Sequence, residues 1–274
     1  MPDFSTGCGA MIAETGARNA SFPPGRLQEF WPWLDEPADC RCVAMRFSWN
    51  TGNTGPLEAS DFDVPPRIAR AAPRRLAEFV AGRRCAGEAL RLLTGRTLFP
   101  GQAEDRAPVW SEDIVGSISH SRDRAIAVAG RSERYRGLGV DLETMLTETE
   151  AREIAPQVLT ERERARLGRR IDAFTVGLAF SAKESLFKAL YPIVRRFCGF
   201  DASELAGWDS EGTALLRLTG DLSPEWCRGQ EFAVHLGCLD GFLITRVSIE
   251  RGQARPLAEG AAPTAQRRDH IVPV

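Results

Sequence analysis

The chain has 274 residues, with 35 Lys and Arg against 37 Asp and Glu, a formal charge of −2. That balance argues against the nucleic-acid backbone as the main partner, because phosphate binding usually carries a strong basic excess. Apolar residues make up 43% and charged ones 26%, ordinary globular values that exclude disorder throughout, and the length allows one large domain or two with separate cores.

No stretch approaches the roughly 20 apolar residues of a membrane helix. The N-terminus lacks the basic start and apolar run of a signal peptide. Seven cysteines are scattered without a CxxC pair, and Cys40/Cys42 has no second pair to complete a zinc site. Free thiols in a reducing cytoplasm are expected. With three histidines, a His-rich metal site is excluded.

In chain order, residues 1–40 show no clear element, although Phe30-Trp31-Pro32-Trp33 should pack. Cys42 to Phe47 predicts a strand, and 48–66 a loop rich in Gly, Asn, Asp and Pro. Apolar spacings of three and four predict one helix from Ile68 to Leu93. A loop over 94–113 leads to three strands, Ile114 to Ser119, Ala125 to Ala129 and Leu138 to Glu143. Their short links favour an antiparallel meander. Two charged helices fit 147–170, with Thr160 as N-cap and Glu163 at the capping-box position. A long helix runs from Ile171 to Leu190, and strands follow near 213–218, 231–236 and 242–249. The tail 251–274 has the composition of a poorly ordered segment. Shifted by 96 positions, VAGRRCAGEAL overlays VGLAFSAKESL, pairing Glu88 with Glu184. Either two helices share a composition or the fold is duplicated.

Asp141 and Glu143 alternate on a strand, so both face one side while Val140 and Leu142 face the core. Two carboxylates roughly 6–7 Å apart repel by about 2.5 kcal/mol at an effective dielectric near 20. A divalent cation would convert that repulsion into attraction, and an incomplete shell of oxygen ligands suits Mg²⁺; a solvated strand edge is the bland alternative. Glu184 and Lys188 are i,i+4 on the long helix, a surface ion pair in the ordinary case. Here apolar residues occupy most other faces, so both side chains need partners. His120, between Ser119 and Ser121, ends a strand and could donate to a phosphate. Arg74, Arg75, Arg83 and Arg84 decorate the first long helix. Arg75 and Arg83 lie about two turns apart and could clasp one anion, unless the face is simply solvated.

Gly116-Ser-Ile-Ser-His120, Leu138-Gly-Val-Asp141-Leu-Glu143 and Phe180-Ser-Ala-Lys183-Glu184-Ser-Leu-Phe-Lys188 resemble the three signature motifs of the 4′-phosphopantetheinyl transferases. Arg75-Leu-Ala-Glu-Phe-Val-Ala-Gly-Arg83 and Arg106-Ala-Pro-Val-Trp110 resemble the siderophore-associated branch, the enterobactin synthetase component D type. The resemblance runs from about residue 70 to 250.

It implies an α+β fold of two pseudo-symmetric halves, each a small antiparallel sheet with a long packed helix. The halves would span 41–137 and 138–250, after a weakly structured extension over 1–40. It implies transfer of the phosphopantetheine arm of coenzyme A to a serine of an apo carrier protein, releasing adenosine 3′,5′-bisphosphate. The carrier could be a peptidyl, aryl or acyl carrier domain. Asp141, Glu143 and Glu184 would hold Mg²⁺, with Mn²⁺ as a substitute. Glu184 would be the base, directly or through a metal-bound water, and Lys188 would assist the departing phosphate. Arg75, Arg83, Arg106, Ser119, His120, Asp141 and Lys188 would bind coenzyme A. The family further implies a monomer. The stretch Tyr191 to Phe197 would either meet an acidic carrier helix or serve only as a helix end. A homologue that binds without transferring is the competing reading, and intact Asp141, Glu143, Glu184 and Lys188 argue against it. An unrelated Mg²⁺ phosphotransferase is weakened by the absence of a GxxxxGK[ST] loop.

Overall fold

The structure, a computed structural model, describes residues 23–35, 39–49, 63–239, 241–252 and 272–273. It contains two principal antiparallel sheets, each backed by one 22-residue helix. The first sheet has the order β1-β2-β6-β5, from β1 (Leu27–Glu29), β2 (Cys40–Arg46), β5 (Ile114–Ser121) and β6 (Arg124–Arg131). The second has the order β12-β8-β9-β10-β11-β7. Its strands are β7 (Tyr135–Thr144), β8 (Ser203–Trp208), β9 (Thr213–Leu218), β10 (Glu231–Leu239), β11 (Phe242–Glu250) and β12 (Val272–Pro273). A small hairpin pairs β3 (Gly101–Gln102) with β4 (Pro108–Val109). The α+β class and the two sheet-and-helix units follow the expectation.

Both faces of the first sheet are covered, which explains its continuous apolar runs. Val43, Met45, Ala125, Ala127 and Ala129 pack on helix α2 (Pro73–Thr94), while Cys42, Ala44, Ile126 and Val128 pack on Leu138, Val140 and Leu142 of β7. The predicted helix over 68–93 is divided: α1 (Pro66–Ala69) precedes α2, which starts at Pro73. Proline has no N–H to donate and is tolerated at a first turn, so it begins α2 rather than continuing α1.

The predicted meander is corrected. β5 and β6 pair antiparallel, but β7 leaves and pairs with β11 in the second sheet. A short link permits pairing without requiring it. β7 buries Leu138, Val140 and Leu142 against the flat of the first sheet instead. Residues 27–35, inside the stretch read as lacking an element, contribute β1 and the buried rings of Phe30 and Trp33. The packing expected of Phe30 to Trp33 therefore holds. Trp31 and Trp33 flank the buried Arg246 guanidinium at 5.0 and 4.9 Å, and Arg246 pairs with Asp35. The tail expectation lies largely outside the described residues; Val272 and Pro273 pair with Trp208 and Gly207.

The charged helices are α3 (Glu148–Val158) and α4 (Glu161–Leu167). Thr160 and Glu163 form the expected capping box. Glu163 does more, because its fully buried carboxylate also receives Lys183 Nζ at 2.6 Å and the Leu205 N–H at 2.7 Å. That pair ties α4 and β8 to helix α5 (Ala173–Val194). Cys40, Cys42, Cys85, Cys198 and Cys227 are free thiols, and burial pushes the Cys40 thiol up to about 12. Among the described residues, no helix is long and apolar enough to cross a membrane.

Candidate active site

β5 and β7, each an edge strand of its own sheet, meet at the seam between the units, and a ladder of hydroxyls stitches them. Ser117, Ser119 and Ser121 alternate on β5 and so share one face. The Val140 N–H donates to Ser117 Oγ at 3.1 Å. Ser119 donates to Asp141 Oδ1 at 3.0 Å, and Ser121 to Glu143 Oε2 at 3.1 Å. Only Ser119 of these three was expected at the site. The period-2 serines were the available signal, but it acquires meaning only once β7 lies alongside.

On the other side of β7 stands α5. Gly137 and Gly139 leave room for it: a Cβ on Gly139 would fall on the Ser185 carbonyl oxygen and 2.8 Å from the Ala189 nitrogen. Buried hydroxyls then fasten α5 to β11. Ser185 Oγ lies 2.7 Å from Thr245 Oγ1 and donates to the Thr245 carbonyl at 3.0 Å, while Thr245 Oγ1 donates to the Ser181 carbonyl at 2.8 Å. Thr245 is the strand partner of Asp141, so this staple sets the height of α5 over the acidic pair.

Lys188 therefore reaches Asp141. Its Nζ lies 2.6 Å from Asp141 Oδ1, 3.2 Å from Ser119 Oγ and 3.2 Å from the Val140 carbonyl. Asp141 is 2% exposed, and its Oδ2 is buried with no hydrogen-bond partner. Burial, then the Asp141 charge, raises the Glu143 carboxyl to about 7, with Glu184 adding to the rise. Glu184 is likewise raised, first by burial, with Lys188 opposing and Asp141 adding to it.

Among the described residues, no three His, Cys, Asp or Glu side chains are drawn into a group ready to hold a metal ion. The donor set nonetheless fits a hard divalent cation. All three carboxyls offer oxygen donors, one buried Asp141 oxygen lacks a partner, and the Asp141 charge destabilises both Glu143 and Glu184 as anions.

The basic residues form a wall on α2. Glu78 gathers Arg74 at 3.0 Å and Arg75 at 3.2 Å. Arg75 Nη1 lies 2.9 Å from His120 Nε2, and burial lowers the His120 pKa. Sequence reasoning missed Glu78. Arg83 is buried over Phe79, donates to the Gly101 carbonyl at 3.0 Å, and is pushed down to about 10 by burial and then by Arg75. Arg106 is exposed at the tip of the β3–β4 hairpin. The structure thus brings Asp141, Glu143, Lys188 and Ser119 together at the seam, with Glu184 near enough to act on Glu143 through its charge and His120 and Arg75 beside them. It places Arg83 under the hairpin and Arg106 on it. Glu88, the echo of Glu184, pairs with Arg91 at 2.7 Å on the helix surface. Next to Glu184 opens a cavity of about 120 Å³ walled by Phe187, Phe197, Cys198, Phe200 and Leu218.

Comparison with known proteins bears on this arrangement. Residues 64–130 match the model of the 4′-phosphopantetheinyl transferase N-terminal domain, and 137–244 that of the 4′-phosphopantetheinyl transferase superfamily. Enterobactin synthase component D of Salmonella typhimurium is 39% identical over 125 residues, 45% of this chain and 51% of the relative. That match spans about half the relative's length. The 4′-phosphopantetheinyl transferase Svp of Streptomyces mobaraensis is 34% identical over 212 residues, 74% of this chain and 84% of the relative. Enterobactin synthase component D of Escherichia coli K12 is 33% identical over 181 residues, 65% and 80% of the two chains. With both domain models matched in order and four-fifths or more of two relatives covered, the chain belongs to the 4′-phosphopantetheinyl transferase superfamily.

Proposed function

We propose that this chain moves the 4′-phosphopantetheine arm of coenzyme A onto a serine of an apo carrier domain. The serine O–H breaks, its oxygen bonds the pantetheine-side phosphorus, and adenosine 3′,5′-bisphosphate leaves. The observation that supports this reading is the contact of Lys188 Nζ with the buried Asp141 carboxylate at 2.6 Å, with Glu143 and Glu184 close enough for the Asp141 charge to raise both. Asp141, Glu143 and Glu184 would hold Mg²⁺, or Mn²⁺ in its place, which neutralises pyrophosphate charge when bound. Glu184, already raised in pKa by burial, is suited to accept the serine proton at neutral pH. Lys188 would release its hold on Asp141 in favour of the phosphate that gains charge. Arg75, Arg83, Arg106, Ser119 and His120 would bind the nucleotide end, where the planar arginine fork suits phosphate. The apolar cavity beside Glu184 would take part of the arm. Residues 41–137 would thus supply the basic wall, and 138–250 the acidic and catalytic residues. Arg196 and Phe197 would face an acidic carrier helix; Phe197 is 77% exposed. Peptidyl or aryl carriers of siderophore assembly in the cytoplasm are the proposed targets, and the enzyme is proposed to act as a monomer.

Incubation with coenzyme A, Mg²⁺ and a panel of apo carriers should add the mass of the phosphopantetheine arm to at least one carrier, and chelation should stop it. Binding of coenzyme A with no carrier gaining the arm would favour the non-transferring homologue. Lys188→Ala should lower kcat about 10²-fold while changing the coenzyme A KM by less than about threefold. An unchanged rate would remove Lys188 from the mechanism.

A further inference from the structure

The hairpin carrying Arg106 is anchored at its base to one unit and at its tip to the other. At the base, Arg83 donates to the Gly101 carbonyl at 3.0 Å and Arg67 to Gln102 Oε1 at 2.8 Å. At the tip, Tyr191 OH donates to Asp105 Oδ2 at 2.7 Å, and Arg195 Nη1 stands 3.9 Å from the same oxygen. Asp105 Oδ1 meanwhile accepts the Ala107 N–H at 3.0 Å. One carboxylate therefore shapes the turn and reaches α5. Between those two bonds sits Arg106, at φ 74°. That left-handed conformation is uncommon for a residue with a side chain and persists where the surroundings hold it. Tyr191 follows Glu184 and Lys188 at i+7 and i+3, so the three share a stripe of α5. The hairpin tip is thus hung from the stripe that carries the proposed catalytic residues.

We propose that Asp105 and Tyr191 are positioning residues, a clasp that holds the β3–β4 hairpin across the cleft and fixes Arg106 on the phosphates of coenzyme A. This rests on the proposed binding of coenzyme A by Arg106. The clasp contributes little to folding, because its groups are exposed and surface polar contacts are weak in water. Its worth lies in pre-organising one arginine, whose ordering would otherwise cost binding energy.

The test uses the full chain and coenzyme A itself, by isothermal titration and steady-state kinetics. Tyr191→Phe removes the hydroxyl yet keeps the ring beside Phe187, 5.2 Å away between centroids. Tyr191→Phe and Asp105→Asn should each raise the coenzyme A Kd and KM about fivefold, as loss of one charge-assisted bond predicts. The kcat and the melting temperature should stay unchanged. Arg106→Gln should weaken binding less in the Tyr191→Phe background than in the wild type, because the two act through one contact. Unchanged Kd in Tyr191→Phe, or strictly additive losses with Arg106→Gln, would overturn the clasp. A wild-type chain that fails to bind coenzyme A would instead sink the functional reading beneath it.

Discussion

Asp141→Asn should cut transfer about 10²–10³-fold while leaving the protein within about 1 kcal/mol of wild-type stability. The two effects separate because Asp141 is an expensive residue for the fold. It is buried, one oxygen has no partner, and its charge raises both Glu143 and Glu184. Neutralising it relieves that repulsion. The loss is the Lys188 ion pair, but Lys188 is about a quarter exposed and keeps Ser119 and the Val140 carbonyl as partners. Urea denaturation measures the stability. Titration of the Glu143 carboxyl by NMR supplies a second reading: its pKa, about 7 in the free protein, should move toward the ordinary carboxylate range, since Asp141 is the second cause of the rise after burial. Mg²⁺ should raise the melting temperature of the wild type and not of the variant, because binding to the folded state alone is stabilising. Near-native transfer would contradict the site assignment, and a stability loss above about 3 kcal/mol would make Asp141 structural.

What could be read in advance follows from what local patterns report. Alternation along Leu138 to Glu143 correctly assigned Val140 and Leu142 to the core and the two carboxyls to the other face. The i,i+4 spacing placed Glu184 and Lys188 on one stripe, and Thr160 with Glu163 marked a helix start. Periodicity names a face, however, and not the partner that covers it. The partner of β7 is β11, about a hundred residues on, so a short link was mistaken for a meander. Ser117 and Ser121, Glu78 with His120, and the Glu163–Lys183 pair join segments distant in sequence, and no local rule connects them. Spacing alone made Arg75 and Arg83 a candidate anion clasp, but their assignment to coenzyme A, together with Arg106 of the hairpin, came from family resemblance, since an arginine reads the same in sequence whether solvated or aimed into a cleft.

Gly139→Ala tests the geometry without touching a charge. The substitution asks for one methyl group, yet the atom it meets is the backbone carbonyl of Ser185, with the Ala189 nitrogen close behind. Neither can swing aside as a long side chain would. α5 is held in place by the Ser181, Ser185 and Thr245 hydroxyls and by Lys183 on Glu163, so it must shift as a body or break those bonds. The expected cost is about 3 kcal/mol, at the upper end for overpacking, read as a lower urea midpoint with the slope unchanged. A shift of α5 also draws Lys188 away from Asp141 and Glu184 away from the acidic pair, so kcat should fall even where the protein remains folded. The same substitution at Gly95 supplies the contrast. That residue caps α2 at φ 75° with open space around it, so alanine there should cost about 1 kcal/mol of stability through backbone strain alone and leave kcat unchanged. Equal effects at the two positions would mean that the close approach of α5 to β7 does not set the active-site geometry.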